Sequence, residues 1–251
     1  MNSKNEVIYL DLFAGIGGFA LGAYWSGFKA DKHYFSEIDP FCIELYQLRF
    51  PSAIPLGDIK MINANNLPQG DWIITGGFPC QDISTAGEGE GIYGERSGLW
   101  FEMWRLIRDL RPRFAIIENV RAITFRGLSD VLSSLAEIGY DAEWQDIQAS
   151  DLGYPHRRER IWVVAYPHGA GWERILCCNI KDCSKKEEQK ATLDISSNPF
   201  LQFEKRMGEP AVFGVDNGIP RQVDRLRALG NAIVPQIAEL LFKKILKLMR
   251  D

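Results

Sequence analysis

The chain has 251 residues, 46% of them hydrophobic and 25% charged, with a formal net charge of −4. Length and composition suit one large globular domain, or one domain with a small insertion, and no apolar run approaches the ~18 residues of a membrane span. The acidic balance argues against a chain coated throughout for nucleic acid but leaves room for a local basic groove, and basic residues do cluster in HRRER (156–160), KRM (205–207) and RQVDRLR (221–227).

The apolar run VIYLDLF (7–13) reads as a first strand, and GIGGFALGAYWSGF follows with Phe19, Ala23 and Ser26 at helix-like spacing. HYFSEID (33–39) reads as a second strand and PFCIELYQLRF (40–50) as a helix with proline at its first position. GDWIITGGF supplies another strand. GLWFEMWRLIRDLRP (98–112) predicts an amphipathic helix with Leu99, Met103, Leu106 and Leu110 on one face. RFAIIENV (113–120) reads as a buried strand, LSDVLSSLAEIGY (128–140) as a helix opening on Ser129, and ERIWVVAY (159–166) as a late strand. Strands alternating with helices define an α/β fold with a mostly parallel sheet. From 167 to 224 no period is sustained, which suggests an insertion or a small second domain. GNAIVPQIAELLFKKILKLMR (230–250) then predicts an amphipathic helix long enough to dock on the first domain.

The N-terminus MNSKNEVIYLDLFAG lacks a basic stretch followed by a long apolar core, so it does not read as a secretory signal. Five cysteines without paired spacing predict reduced thiols and a cytoplasmic setting. His168, Cys177, Cys178 and Cys183 lack a Cys-x-x-Cys pair, so no metal is expected.

DLFAGIGGF (11–19) joins a strand to a helix through Gly15, Gly17 and Gly18. Glycines there let a ligand approach the backbone, and a helix N-terminus favours a negative group. The stretch also satisfies the relaxed dinucleotide pattern, with Ala20 in the last slot. Glu37 sits near the end of the second strand, where a ribose hydroxyl is commonly bound. Asp58 in GDI is placed to accept from an adenine amino group. Each carboxylate taken singly also fits a loop cap. In order along one chain they favour a nucleoside cofactor.

Cys80 in GGFPCQDIS and Glu118 in ENV each end a strand, with one helical crossover between them. A right-handed parallel unit brings both to carboxyl ends of one sheet, the edge where ligands bind. Cys80 reads either as a buried thiol or as a nucleophile, and Glu118 either as half of an ion pair or as a catalytic carboxyl. Arg158 and Arg160, two apart at the start of a strand, share a face and suit either a solvated edge or an anion clamp.

DLFAGIGGF, SEID, GDI, GGFPCQDIS, ENV, HRRER and ALGNAIVP, in that order from residue 11 to 235, resemble the motifs of the cytosine-5 DNA methyltransferase family. The resemblance implies a Rossmann-like AdoMet-dependent methyltransferase sheet with helices on both faces. Residues 1–166 would form the catalytic domain, 167–224 a small irregular target-recognition domain, and 225–251 a segment returning to the first domain. It implies S-adenosyl-L-methionine as cofactor, S-adenosyl-L-homocysteine as product, and double-stranded DNA as substrate. The expected setting is a cytoplasmic, DNA-bound monomer in restriction-modification, with a cognate restriction endonuclease as candidate partner. Cys80 is then the nucleophile, Glu118 the residue beneath the ring nitrogen, and Arg158 and Arg160 position the site. Phe13 stacks on the adenine, Glu37 holds the ribose, Asp58 meets the adenine amino group, Leu99 lines the same pocket, and Asn231 lies near the methionine end. Ala14, Gly15, Ile16, Gly17, Gly18, Ile38, Ile59, Phe78 and Ala232 complete the cofactor set.

The chemistry agrees with that assignment. Carbon 5 of cytosine is a poor nucleophile until a thiolate adds at carbon 6 and makes it enamine-like. A carboxyl at ring nitrogen 3 stabilises the charge that builds up. The base must leave the stack to reach the thiol, and the glycine-bearing run 81–98 reads as a loop that closes over it. Two departures stand out. His156 occupies a position that is commonly glutamine in the family, and 167–224 is short for a recognition domain. The rival readings are the same chemistry on tRNA, an inactive AdoMet- or DNA-binding module, and a nicotinamide dehydrogenase. The dehydrogenase explains the glycine loop but not Pro79-Cys80 with Glu118.

Overall fold

Strand β1 (Val7–Leu12) is buried from Ile8 onward and is an interior strand, third from one edge, of a seven-stranded sheet. A computed structural model of the chain describes residues 6–79, 98–154, 157–172, 175–176 and 222–249. β1 pairs in parallel with β2 (Lys32–Ser36) on one side and β4 (Asp71–Gly76) on the other, and the two-residue β3 (Ile54–Pro55) extends the β2 edge. β5 (Phe114–Val120) runs parallel to β4, and β7 (Glu159–Pro167) runs antiparallel between β5 and β6 (Tyr140–Gln148). The order β3-β2-β1-β4-β5-β7-β6 reverses direction between β1 and β4, which opens a crevice at their carboxyl ends.

Alternation along the strands divides the core into two layers. One face, with Tyr9, Phe35, Ile73, Ile116 and Trp162, packs under α1 (Gly18–Trp25), Tyr46 of α2 (Pro40–Arg49) and the C-terminal helix α7 (Pro235–Leu248). The other, with Leu10, Ile74, Ile117 and Val163, packs under α3 (Leu99–Leu110) and α5 (Leu128–Glu137). A short α4 (Ile123–Arg126) follows β5, and α6 (Gln222–Asn231) precedes α7. Helix α1 lies so close to α7 that a Cβ on Gly22 would stand 2.5 Å from the Pro235 carbonyl oxygen. Among the described residues no helix is long and apolar enough to cross a membrane.

Several elements differ from the sequence reading. The buried face of α3 carries Trp100, Met103, Leu106 and Ile107, while Leu99 and Leu110 lie at its margin. Helix α5 starts at Leu128 behind Gly127, and Ser129 makes no cap. The expected helix over 230–250 is interrupted at 232–234, because Pro235 disfavours helix before it and starts α7 at its own first position. β6 was not anticipated: YDAEWQDIQ carries charged side chains along an edge strand and shows no apolar run. Past β7, Trp172, Ile175 and Leu176 still lie against the sheet core. Trp172 stacks on Phe114 at 4.5 Å, and Ile175 and Leu176 are buried with their N–H groups donating to the Glu143 carboxylate at 3.0 and 2.8 Å.

One buried acid ties this frame together. The Asp11 carboxylate is fully buried and accepts from the Thr75 hydroxyl at 2.8 Å, the Tyr46 hydroxyl at 3.0 Å and the backbone N–H of Ala20. Burial is the main cause that pushes this carboxyl from its ordinary 3.8 up to about 7. Stability contributed by the neutral acid is therefore fully present below pH 3.8 and is lost as pH rises through about 7. Asp11→Asn keeps the shape without the charge. Denaturant unfolding followed from about pH 4 to about pH 8 should show wild-type stability falling relative to the variant across the window, since His33, lowered to about 4 by burial, acts alike in both chains. Equal slopes would remove Asp11 as the source. Asp11→Leu removes the acceptor shared by Thr75, Tyr46 and the Ala20 N–H and should lose ~1–3 kcal/mol, the scale of one buried donor left unsatisfied, since Thr75 and Tyr46 keep Tyr9 and His33 as partners.

Candidate active site

The loop after β1 is held in a costly conformation. Phe13 has φ 53°, a left-handed value that a non-glycine residue adopts only where its surroundings impose it, and Gly15 and Gly17 follow at 51° and 85°. Gly17 is also required by space, since a Cβ there would lie 2.9 Å from Phe50 Cε2. The backbone is pinned by bonds to β2 and α2. Ala14 N donates to the Ser36 carbonyl at 3.0 Å, Gly15 N to Glu37 Oε2 at 2.7 Å, and Arg49 Nη1 to the Ile16 carbonyl at 2.7 Å. Glu37 Oε1 accepts from Ile38 N at 2.8 Å and Asp39 N at 2.9 Å. Ile38 itself is 71% exposed.

Beside this loop stands an apolar wall. Ile59 and Phe78 are buried in one cluster, and Phe13 and Leu99 pack against it. Asp58 starts the turn Ile59–Met61, accepting from Lys60 N at 3.0 Å, so the capping role open in the sequence is realised. Phe78 is held by Asn119, whose Nδ2 donates to its carbonyl at 3.1 Å. On the other side of the loop, Ile16 shares a small cluster with Cys42 and Ala228, and Ala232 packs on it. A Cβ on Gly18 would meet Ile233 Cγ1 at 2.6 Å. Cys42 is a buried thiol, pushed up to about 12 by burial first and then by Glu37, Asp39 and Asp224, and is unreactive on that account.

Glu118 lies at the end of β5 on the same sheet face as Arg160, which stands on β7. It is 8% exposed, and Arg160 Nε donates to its Oε1 at 2.9 Å. Burial raises its carboxyl above the usual range, while Arg160 and Arg158 pull it down. The ion pair weighed in the sequence is therefore realised, with Arg160 as the partner. Its space depends on Gly77, where a Cβ would lie 2.9 Å from Glu118 Oε2. Arg158 Nη2 donates to the carbonyls of Gly230 (2.9 Å) and Ala232, beside the exposed Asn231.

The structure thus gathers the glycine loop with Glu37, the Asp58–Ile59 turn with the apolar wall, and Glu118 with Arg160; the 230–233 turn touches both the loop and Arg158. Cys80, segment 81–97, His156, Cys177, Cys178 and Cys183 lie outside the described residues. β4, which leads to Pro79, runs between β1 and β5 and so between the two halves. Sequence reasoning passed over Asp11, Gly77, Arg49 and Asn119. A lone acid inside an apolar strand was the available signal for Asp11. The asparagine of ENV was quoted but given no role.

The C-5 cytosine-specific DNA methylase family profile matches residues 7–211. Type II methyltransferase M1.ScrFI of Lactococcus lactis subsp. cremoris is 38% identical over 161 residues, which cover 62% of this chain and 41% of that protein. Type II methyltransferase M.BsuFI of Bacillus subtilis is 32% identical over 240 residues, covering 89% of this chain and 54% of that protein. Among solved structures, a DNA modification methyltransferase encoded within an E. coli prophage superposes with a TM-score of 0.53 at 29% identity, covering 64% of this chain and 47% of that one. The chain belongs to the C-5 cytosine-specific DNA methylase family, and the mixed, mostly parallel sheet matches that of its solved relatives. It spans about half the length of the curated relatives it matches.

Gly77→Ala tests the seat of Glu118. The added methyl displaces the carboxylate, and a misplacement of ~1 Å at a reacting centre costs roughly 10²-fold. In an assay of the family's methyl transfer the variant should fall by about that factor relative to the unaltered chain, with its fold unchanged by circular dichroism. An unchanged rate would show that the seat is not needed.

Proposed function

We propose that this chain transfers a methyl group from S-adenosyl-L-methionine to carbon 5 of a cytosine flipped out of double-stranded DNA, through a covalent adduct of Cys80. The observation that carries the reading is the buried Glu118–Arg160 pair at the strand end next to the strand that leads to Pro79-Cys80. Family membership implies S-adenosylmethionine use and a DNA substrate.

The residues present suit the cofactor. Open space surrounds Gly15, where an added Cβ would meet nothing within 4 Å, so a ligand has room against the loop. Glu37 Oε2 takes one backbone bond and keeps acceptor capacity for a ribose hydroxyl. Asp58 caps its turn through Oδ1, which leaves Oδ2 for an adenine amino group. Phe13, Ile59, Phe78 and Leu99 offer the adenine an apolar slot, and Asn231 and Ala232 take the methionine end. When bound, the cofactor supplies an electrophilic methyl group.

The chain's own residues do the rest. The Cys80 thiolate adds to carbon 6, and the electron pair displaced from the ring is taken up at nitrogen 3, where the Glu118 carboxyl donates a proton. Burial favours the protonated carboxyl, and Arg160 stabilises the carboxylate left behind. Carbon 5, now enamine-like, takes the methyl group. Loss of the carbon 5 proton to solvent then expels the thiolate, and nitrogen 3 returns its proton to the Glu118 carboxylate, which restores the neutral aromatic ring. Residues 1–166 act as the catalytic part, 167–224 as the target reader and 225–251 as the returning segment, in a cytoplasmic restriction-modification setting with a cognate endonuclease.

DNA containing 5-fluorocytosine should trap the chain in an SDS-stable complex that needs both S-adenosylmethionine and Cys80, because fluorine cannot leave as a proton. Cys80→Ala should lose the complex and all transfer yet still bind S-adenosylmethionine. Methylation of DNA without any adduct would sink the covalent route. Basic residues of 167–227 are interleaved with acids, and a short reader offers few side chains to base edges. The target should therefore be about two to four specified base pairs, each worth ~1–3 kcal/mol of discrimination. Mapping 5-methylcytosine in a host that lacks it checks this. A long, strict motif contradicts it, and modified tRNA with an unmethylated genome moves the substrate to RNA.

A further inference from the structure

The two arginines paired in HRRER do different work. Arg160 is the second residue of β7, and Arg158 stands immediately before that strand. Arg160 is committed to a carboxylate inside the protein, and its Nη1 donates to the carbonyl of Glu159 at 2.9 Å. Arg158 meets no carboxylate at its Nη2, which instead donates to two backbone carbonyls, Gly230 and Ala232. These flank the end of α6 at Asn231, where the last carbonyls of a helix have no intrahelical partner and a cation is favourable. Arg158 Nε is buried without a partner among the described residues.

The turn that Arg158 grips is held from the opposite side by the cofactor loop. Ala232 packs on the cluster of Ile16 with Cys42 and Ala228, and Ile233 fills the space left by the missing side chain of Gly18. The turn at 230–233 therefore bridges the loop after β1 and the strand that carries the Glu118 partner. We infer that Arg158 is a positioning residue for the cofactor. It does not touch DNA phosphate or the base but clamps the 230–232 backbone, so that Asn231 and Ala232 close the methionine end of the pocket. This rests on the methyltransferase reading above. It adds a physical link between the cofactor half and the base half: Arg158 also lies close enough to Glu118 to lower its carboxyl.

The test compares Arg158→Gln, Arg158→Lys and Arg160→Gln in the full chain. S-adenosylmethionine binding is measured by calorimetry without DNA, and amide hydrogen exchange is read in the ligand-free protein. Arg158→Gln should bind at least about tenfold more weakly, the scale of one lost charge-assisted hydrogen bond, with Arg158→Lys intermediate because a lysine spans the two carbonyls less well. Exchange should rise at 229–233 and not in 161–165, a confinement that general destabilisation would not produce. Arg160→Gln should bind the cofactor as wild type does. Wild-type cofactor affinity in Arg158→Gln, with a raised KM for DNA, overturns the inference and restores the anion clamp. Unchanged exchange at 229–233 also overturns it. A wild-type chain that binds no S-adenosylmethionine sinks the methyltransferase reading instead, and the ligand-free exchange then still decides whether the clamp exists.

Discussion

A carboxyl group inside the sheet, Asp11, sets the geometry on which the crevice depends. Its three donors come from β4, α2 and the first turn of α1, so one side chain fixes how β1 meets its neighbours just before the glycine loop begins. Among the described residues no cation bonds to it; two hydroxyls and a backbone N–H do. When the acid is ionised, Thr75 and Tyr46 both donate to it. Tyr9, 2.8 Å from the Thr75 oxygen, must then donate to Thr75, and His33, 2.9 Å from the Tyr46 oxygen, must donate to Tyr46 through Nε2–H. Burial lowers His33 to about 4, so it serves as a neutral ring. When Asp11 is neutral, one branch reverses. Hydroxyls can donate or accept, which lets the network keep every buried group bonded in both charge states.

Glu118 is buried on the same face and solved differently. It meets a guanidinium instead of hydroxyls, and burial and attraction pull its carboxyl in opposite directions. A buried acid with only hydroxyl partners is free to sit neutral as a structural joint. A buried acid with Arg160 at 2.9 Å can give up a proton and have the resulting charge held at once. The two positions differ in one further way. Asp11 is closed in by α1 and α2, whereas Glu118 faces a glycine, Gly77, that leaves its second oxygen uncovered by any side chain from that strand.

Much of this was legible in the sequence. Apolar runs ending in Gly, Glu or Pro-Cys marked the parallel strands, and the order of short motifs carried the family. Glu118 was legible because a carboxylate after four apolar residues demands a partner. The rest failed for local reasons. β6 hides because its side chains alternate between charge and modest apolarity at an edge. α6, QVDRLRALGN, is short and rich in charge, with only Val223, Leu226 and Leu229 spaced three apart to announce it. Gly77 and Asn119 act through what they leave open or hold in place, which no composition reveals. Arg158 and Arg160 look equivalent in HRRER, and only the partners that the fold brings to each tell them apart.

The glycine pattern itself has two physical sources. Gly15 and Gly17 answer the left-handed backbone of the loop, but Gly18 and Gly22 do not: they lie one helical turn apart on α1, where α7 approaches. A side chain at Gly22 would meet both the Pro235 carbonyl and Ala238 within 2.6 Å, and one at Gly18 would meet Ile233. The glycines of this stretch thus have separate causes: Gly15 and Gly17, which belong to the relaxed dinucleotide pattern, answer loop geometry, while Gly18 and Gly22, which lie outside it, answer packing. That packing also gives the return of the C-terminal segment a cause. α1 is too poor in side chains on that face to bury it alone, so the last helix of the chain must come back and lie against it, bringing Asn231 and Ala232 to the crevice as it does.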